Sequence, residues 1–89
     1  MNTARGGLID EAALASALER GLVSGAAIDA VSAEPPPPDH PFMRLASRPD
    51  FILTPHVGWA SREARQEVAD QVTACIEAFA AGQPRNVVA

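Results

Sequence analysis

Four consecutive prolines, Pro35 to Pro38, set the first limit on what this chain can fold into. Each removes a backbone N–H and holds φ near −65°, so the stretch SAEPPPPDHPF is barred from a helix interior and from a central strand. It is expected to run as a stiff, extended connector of polyproline type. Regular structure must therefore lie before it or after it. The chain has 89 residues, about one small domain, a size at which folding is marginal without a well-packed core. The proline run is the only low-complexity segment, and the sequence has no internal repeat.

Residues 1–5 read as the end of a strand that enters a loop at Gly6-Gly7. Asp10 is an N-cap for a helix over about 11–20, EAALASALER, with Glu11 in the first turn where the helix dipole favours a carboxylate. Ile9, Ala13, Leu14, Ala17 and Leu18 share a face by their i, i+4 spacing. Gly21 is suited to end the helix in a left-handed conformation. GAAIDAV (25–31) is a short apolar run broken only by Asp29, and it predicts a buried strand. FILT (51–54) predicts another, ended by Pro55. Ser61 caps the strongest helix, about 62–81, with Val68, Val72, Cys75, Ile76 and Phe79 on its apolar face and Gly82 and Pro84 to stop it. Strands alternating with helices imply an α/β fold with a parallel sheet and right-handed crossovers. Two strands and a fragment are too few for a self-sufficient sheet of this kind, so an open edge is expected on the N-terminal side.

Composition removes several function classes. Net charge is −4 and no run of Lys and Arg is present, so neither a nucleic-acid backbone nor a membrane surface is an expected partner. No apolar stretch approaches the roughly 20 residues of a membrane span. Met1 is followed by Asn2, Thr3, Ala4 and Arg5 without an apolar core, which is no signal peptide. Cys75 is the single cysteine, and with two histidines it gives no zinc-ligand spacing, so no metal is expected. A reducing cytoplasm is the default setting.

The polar residues are informative by position. Arg5, Asp29 and His56 fall at or just beyond the carboxyl ends of the three strand segments, and Glu34 follows the second. That edge is where open α/β sheets bind ligands. Taken singly, Arg5 reads as a solvated charge, Glu34 as a surface-loop residue and His56 as a turn cap. Asp29 is harder to dismiss, because a buried carboxylate is costly unless paired. Pairing to a helix N-terminus and service to a ligand both remain open for it.

Three strings then carry a family resemblance. NTARGGLIDEAALASAL is similar to the Asn-x-x-Arg-Gly-Gly signature of the D-isomer-specific 2-hydroxyacid dehydrogenases. GAAIDAVSAEPPPPDHP resembles that family's Gly-Ala-x-x-Asp-Val-x-x-x-Glu-Pro segment, and TPHVGWASREA its x-Pro-His-x-Gly segment. Together they cover residues 2–88. The run from Trp59 to Arg65 and the closing Pro84-Arg85-Asn86-Val87-Val88 look most like the glycerate dehydrogenase/hydroxypyruvate reductase members. The resemblance implies the C-terminal portion of a Rossmann-type doubly wound parallel sheet ending in a long helix. It implies NAD or NADP as cofactor and a small 2-oxo/2-hydroxy acid as substrate, with a homodimer as the full-length state. It assigns Arg5 to the substrate carboxylate and carbonyl, His56 to acid/base work, Glu34 to orienting His56, and Asp29 to the nicotinamide carboxamide. Thr3, Ala4 and Gly58 then bring main chain near the nicotinamide and its ribose, where Arg5 and His56 also lie.

The chemistry suits those roles. A guanidinium is a forked, permanently charged donor set for a carboxylate. An imidazole titrates near neutral pH, and a carboxylate beside one favours its protonated form. The hydride belongs to the cofactor. The sequence departs from the family pattern in having no G-x-G-x-x-G. Residues 1–89 are therefore expected to be the C-terminal part of a dinucleotide-binding domain, with the glycine-rich loop and the substrate domain outside it. A fragment of an oxidoreductase is the expected identity. The alternative is a non-catalytic remnant that acts as an association module, its open sheet edge covered by a partner strand or by itself. A third reading makes Pro35–Pro38 a ligand for an aromatic groove.

Overall fold

The computed structural model describes residues 1–88, which fall into two compact units, Met1–Val57 and the residues from Gly58 on. The first unit contains helix α1 (Glu11–Glu19), strand β1 (Ala26–Ile28), a single 3-10 turn (Met43–Leu45) and strand β2 (Phe51–Leu53). The second contains helix α2 (Arg62–Ala80).

β1 and β2 pair in parallel with Ala26 opposite Phe51 and Ile28 opposite Leu53. On the other side of β1, Asn2 forms a parallel bridge with Ile28. The Asn2 N–H donates to the Ala27 carbonyl and the Asp29 N–H to the Asn2 carbonyl, both at 2.9 Å. Three segments thus run side by side in one direction, with Arg5, Asp29 and His56 all just beyond their carboxyl ends. The expected strands are present but only three residues long. Just beyond them the Asp29 N–H still donates to Asn2 and the Thr54 N–H to the Ile28 carbonyl at 3.0 Å, so the last ladder bonds are made at the polar positions that end each strand. The proline segment has neither helix nor strand, as its missing N–H groups require, but it is not the single extended connector expected: the chain turns at Pro38-Asp39, where the His40 N–H donates to the Pro37 carbonyl at 2.9 Å.

Caps act where the sequence placed them. The Asp10 carboxylate accepts from the Ala13 N–H at 2.9 Å, and Gly21 closes α1 at φ 68°. The buried side of α1 is Ala15 and Leu18, while Ala13 is exposed. This corrects the expectation that Ala13 faces inward: two adjacent turns present Leu14, Ala15 and Leu18 to the core, and that packing sets the helix phase. β2 is corrected in the same way. It was expected to be buried, yet Phe51 is buried while Ile52 is 59% exposed, because alternate strand side chains point to opposite faces and the core lies on one.

Leu18, Ile28, Val31, Phe42, Leu45 and Phe51 are the large members of that core. Phe42 is fully buried and its ring meets Phe51 in a tilted arrangement with centroids 5.2 Å apart. Arg48 ties the entry of β2 to α1: it binds Asp50 through two bonds of 2.8 and 2.7 Å and also reaches the Leu18 carbonyl at 3.4 Å.

Gly6 is required by close approach. A Cβ there would overlap the Val31 carbonyl and the Ser32 amide, which are backbone atoms that cannot step aside. Gly6→Ala is expected to cost about 1–3 kcal/mol, read as a lowered urea midpoint of the first unit. An unchanged midpoint would show that the loop moves freely away from Val31.

In the second unit, the Ser61 hydroxyl caps α2 by accepting from the Ala64 N–H at 3.0 Å, and Gly82 ends it at φ 71°. Val68, Val72, Ile76 and Phe79 are each more than half exposed. No helix among the described residues is long and apolar enough to cross a membrane.

Candidate active site

The turn after the first bridge is built by Asn2. Its side-chain carbonyl accepts from the Ala4 N–H at 3.2 Å and its amide donates to the Arg5 carbonyl at 2.8 Å. This local ring fixes the backbone of Thr3, Ala4 and Arg5, all exposed beyond the sheet edge. The Arg5 guanidinium donates to the Ala4 carbonyl at 2.8 Å.

Asp29 is buried at 6% exposure directly after β1. Its Oδ1 accepts from the Thr54 hydroxyl and from the Val57 N–H, the latter at 3.0 Å. Two bonds to neighbouring strand-end groups offset the desolvation of this carboxylate. They also join the turn after β1 to the turn after β2, fixing the segment that carries His56.

His56 has a positive φ of 54°, a conformation that L residues rarely adopt and that costs about 1–3 kcal/mol. Its Nδ1 lies 2.8 Å from Glu34 Oε2. The other Glu34 oxygen accepts from the Val31 N–H at 3.1 Å. An ionised carboxylate only accepts, so Nδ1 carries the proton in this pair and Nε2 is left for another partner. Both side chains remain partly open to solvent. Asp29, Val31, Glu34, Pro35, Pro36, Met43, Leu53, Thr54, Pro55 and His56 enclose a cleft of about 400 Å³. Its polar groups sit at the sheet edge and its other walls are prolines and aliphatic side chains.

The bond from His56, the bond from the Val31 amide and the positive charges of His56 and Arg5 together hold the Glu34 carboxyl below its ordinary value of 4.5, against a smaller opposing effect of burial. A depressed carboxyl stabilises the fold above its unfolded value and loses that contribution as pH falls through the folded one. The urea midpoint of the first unit is therefore expected to fall as pH drops below about 4.5, with the drop smaller in Glu34→Gln. Equal acid sensitivity in wild type and Glu34→Gln would mean that the pair contributes nothing to the folded state.

The structure thus brings Asp29, Glu34 and His56 around one cleft, with Arg5 near enough for its charge to act on Glu34. Thr3 and Ala4 lie at the same sheet edge, and Gly58 belongs to the second unit. Sequence reading missed four contributors. Asn2 holds the Arg5 turn, and an Asn two residues before an exposed amide was the available signal. Thr54 binds Asp29 across 25 residues, and Glu11 and His40 pair across 29; no local pattern announces such contacts. Among the described residues, no group of three or more His, Cys, Asp or Glu side chains is placed to hold a metal ion.

Comparison with known proteins gives a consistent picture. Residues 1–58 match the family model described as D-isomer specific 2-hydroxyacid dehydrogenase, NAD binding domain. The chain is 54% identical over 88 residues to a glycerate dehydrogenase of Methylorubrum extorquens, covering 99% of this chain and 28% of that protein. It is 41% identical over 88 residues to a hydroxypyruvate reductase of Blautia hydrogenotrophica, covering 99% and 26%. The crystal structure of an NADPH-dependent glyoxylate/hydroxypyruvate reductase from Sinorhizobium meliloti in complex with citrate superposes with a TM-score of 0.76 at 38% identity, covering 99% of this chain and 27% of that one. The chain spans little more than a quarter of the length of these curated relatives.

Proposed function

The chain belongs to the D-isomer specific 2-hydroxyacid dehydrogenase family, within its NAD-binding domain, and from that premise we propose that it supplies the acid/base pair and the nicotinamide-side wall of an oxidoreductase acting on small 2-oxo/2-hydroxy acids. The observation that carries this reading is the 2.8 Å contact between Glu34 Oε2 and His56 Nδ1 at the carboxyl edge of a parallel sheet.

The cleft suits a flat ring bearing an amide. Its walls are largely apolar side chains, and Asp29 offers a carboxylate, the natural acceptor for a carboxamide N–H. NAD or NADP, when bound, supplies the hydride. Asp29 orients the carboxamide, and the main chain of Thr3 and Ala4 lines the approach of the ring and ribose. Arg5 swings from its own loop carbonyl to clamp the substrate carboxylate, for which its fork is suited. His56 gives a proton from Nε2 to the substrate carbonyl oxygen and recovers it in the reverse direction. Glu34 holds the ring through Nδ1, and its charge stabilises the imidazolium. Pyrophosphate and adenosine contacts and the remaining half of the substrate pocket belong, on this reading, to regions of the relatives that this chain does not match. A homodimeric whole protein in a reducing cytoplasm is part of the same proposal, supported by the lone Cys75 and the long exposed apolar face of α2. The association-module alternative gives no reason for a carboxylate–imidazole pair at the ligand edge of the sheet.

A graft tests the proposal. Residues 1–88 are placed in the Methylorubrum glycerate dehydrogenase in place of the matching segment. The graft is expected to oxidise NADH or NADPH with hydroxypyruvate. A folded graft that reduces no small 2-oxo acid would overturn the reading.

A further inference from the structure

The first unit holds a second carboxylate–imidazole pair that the proposed chemistry does not use. Glu11, in the first turn of α1, accepts from the Ser32 N–H at 2.7 Å through Oε1 and from the Ser32 hydroxyl at 2.6 Å through Oε2. The same Oε2 lies 2.9 Å from His40 Nε2. His40 Nδ1 accepts from the Phe42 N–H at 3.2 Å, so the ring proton sits on Nε2 and is donated to Glu11. His40 is 8% exposed and Phe42 is fully buried. One carboxylate on a helix therefore grips both ends of the segment 32–40, and Glu34 lies inside that segment.

Successive backbone amides are divided between two carboxylates. The Val31 N–H goes to Glu34 at 3.1 Å and the Ser32 N–H to Glu11 at 2.7 Å. Four prolines fix φ between Glu34 and His40, and the His40 N–H closes the turn onto the Pro37 carbonyl at 2.9 Å, so a displacement at either anchor is carried along the stretch rather than absorbed locally. Resting on the acid/base reading above, we propose that Glu11 is a positioning residue: by clamping Ser32 and His40 it sets where Glu34 meets His56, and so which nitrogen of His56 carries the proton. Burial opposes ionisation of Glu11, but the bonds from Ser32 and His40 together outweigh it and hold its carboxyl below the ordinary value of 4.5. The clamp is accordingly made by a charged carboxylate at neutral pH, at a helix N-terminus that favours one.

The test is the 15N imidazole spectrum of His56 in the full chain, recorded where the ring is neutral. In wild type the Nδ1–H tautomer is expected, because Nδ1 faces Glu34 Oε2 at 2.8 Å. In Glu11→Gln the Nε2–H tautomer, the favoured one in water, is expected to replace it, while the amide signals of β1 and β2 keep their positions. An unchanged His56 tautomer in a Glu11→Gln chain with an intact sheet overturns the clamp. If Glu11→Gln loses the sheet signals, Ser32→Ala decides, since it deletes only the hydroxyl bond: a partial tautomer shift supports the clamp and none overturns it. A wild-type chain that lacks the Nδ1–H tautomer overturns the Glu34–His56 pairing itself, an outcome distinct from failure of the clamp alone.

Discussion

Replacing His56 with alanine in the grafted dehydrogenase is expected to lower kcat for hydroxypyruvate reduction by about 10²- to 10⁴-fold, the usual contribution of a positioned general acid. The KM for the 2-oxo acid should change far less, because its carboxylate is assigned to Arg5. The pH profile discriminates a chemical role from a structural one. Removing the proton donor should flatten the limb of the kcat profile that its ionisation produces, whereas a folding defect lowers the rate at every pH alike. Glu34→Gln should fall between wild type and His56→Ala: the amide still reaches Nδ1, but it places no charge against the imidazolium. A His56→Ala graft that reduces hydroxypyruvate at the unsubstituted rate would remove His56 from the chemistry, whatever the geometry of its pair with Glu34.

Truncating Phe42 should have the largest effect on the fold. The side chain is wholly buried, meets the tilted Phe51 ring at a centroid distance of 5.2 Å and sits beside the His40 ring at the same distance. Phe42→Ala is expected to cost about 3–5 kcal/mol, a large part of the roughly 5–15 kcal/mol that stabilises a typical domain. Phe42→Leu, which keeps most of the volume, should cost much less. Urea denaturation followed at the β1 and β2 amides measures both. A loss below about 1 kcal/mol for Phe42→Ala would mean that the surrounding core collapses into the space, which close-packed neighbours seldom do. Because the Phe42 ring also packs beside the His40 ring, the alanine variant should loosen the segment carrying Glu34 before the sheet itself opens.

Asp10, Ser61, Gly21 and Gly82 were readable as helix ends because a cap is decided within about three residues of itself: a side-chain oxygen meets a nearby amide, or glycine accepts a positive φ. The prolines excluded regular structure from residues 35–38 for an equally local reason. The alternation of apolar runs with helical patterns gave the parallel α/β arrangement, and with it the edge at which Arg5, Asp29 and His56 gather. The three motif strings supplied the family. Sequence by itself therefore determined the element order, the caps and the candidate acid/base residues. It did not determine the inward face of α1, the half-exposed state of β2 or the place of Phe42 at the centre of the core. Nor did residue pattern match Glu11 with His40 or Thr54 with Asp29. Those contacts join residues 25 to 29 positions apart, and they exist only once β1 and β2 pair and the proline segment turns back onto α1. Only the tertiary structure decided them, because a side chain's partner across such a distance is chosen by where the backbone returns, which no local preference records.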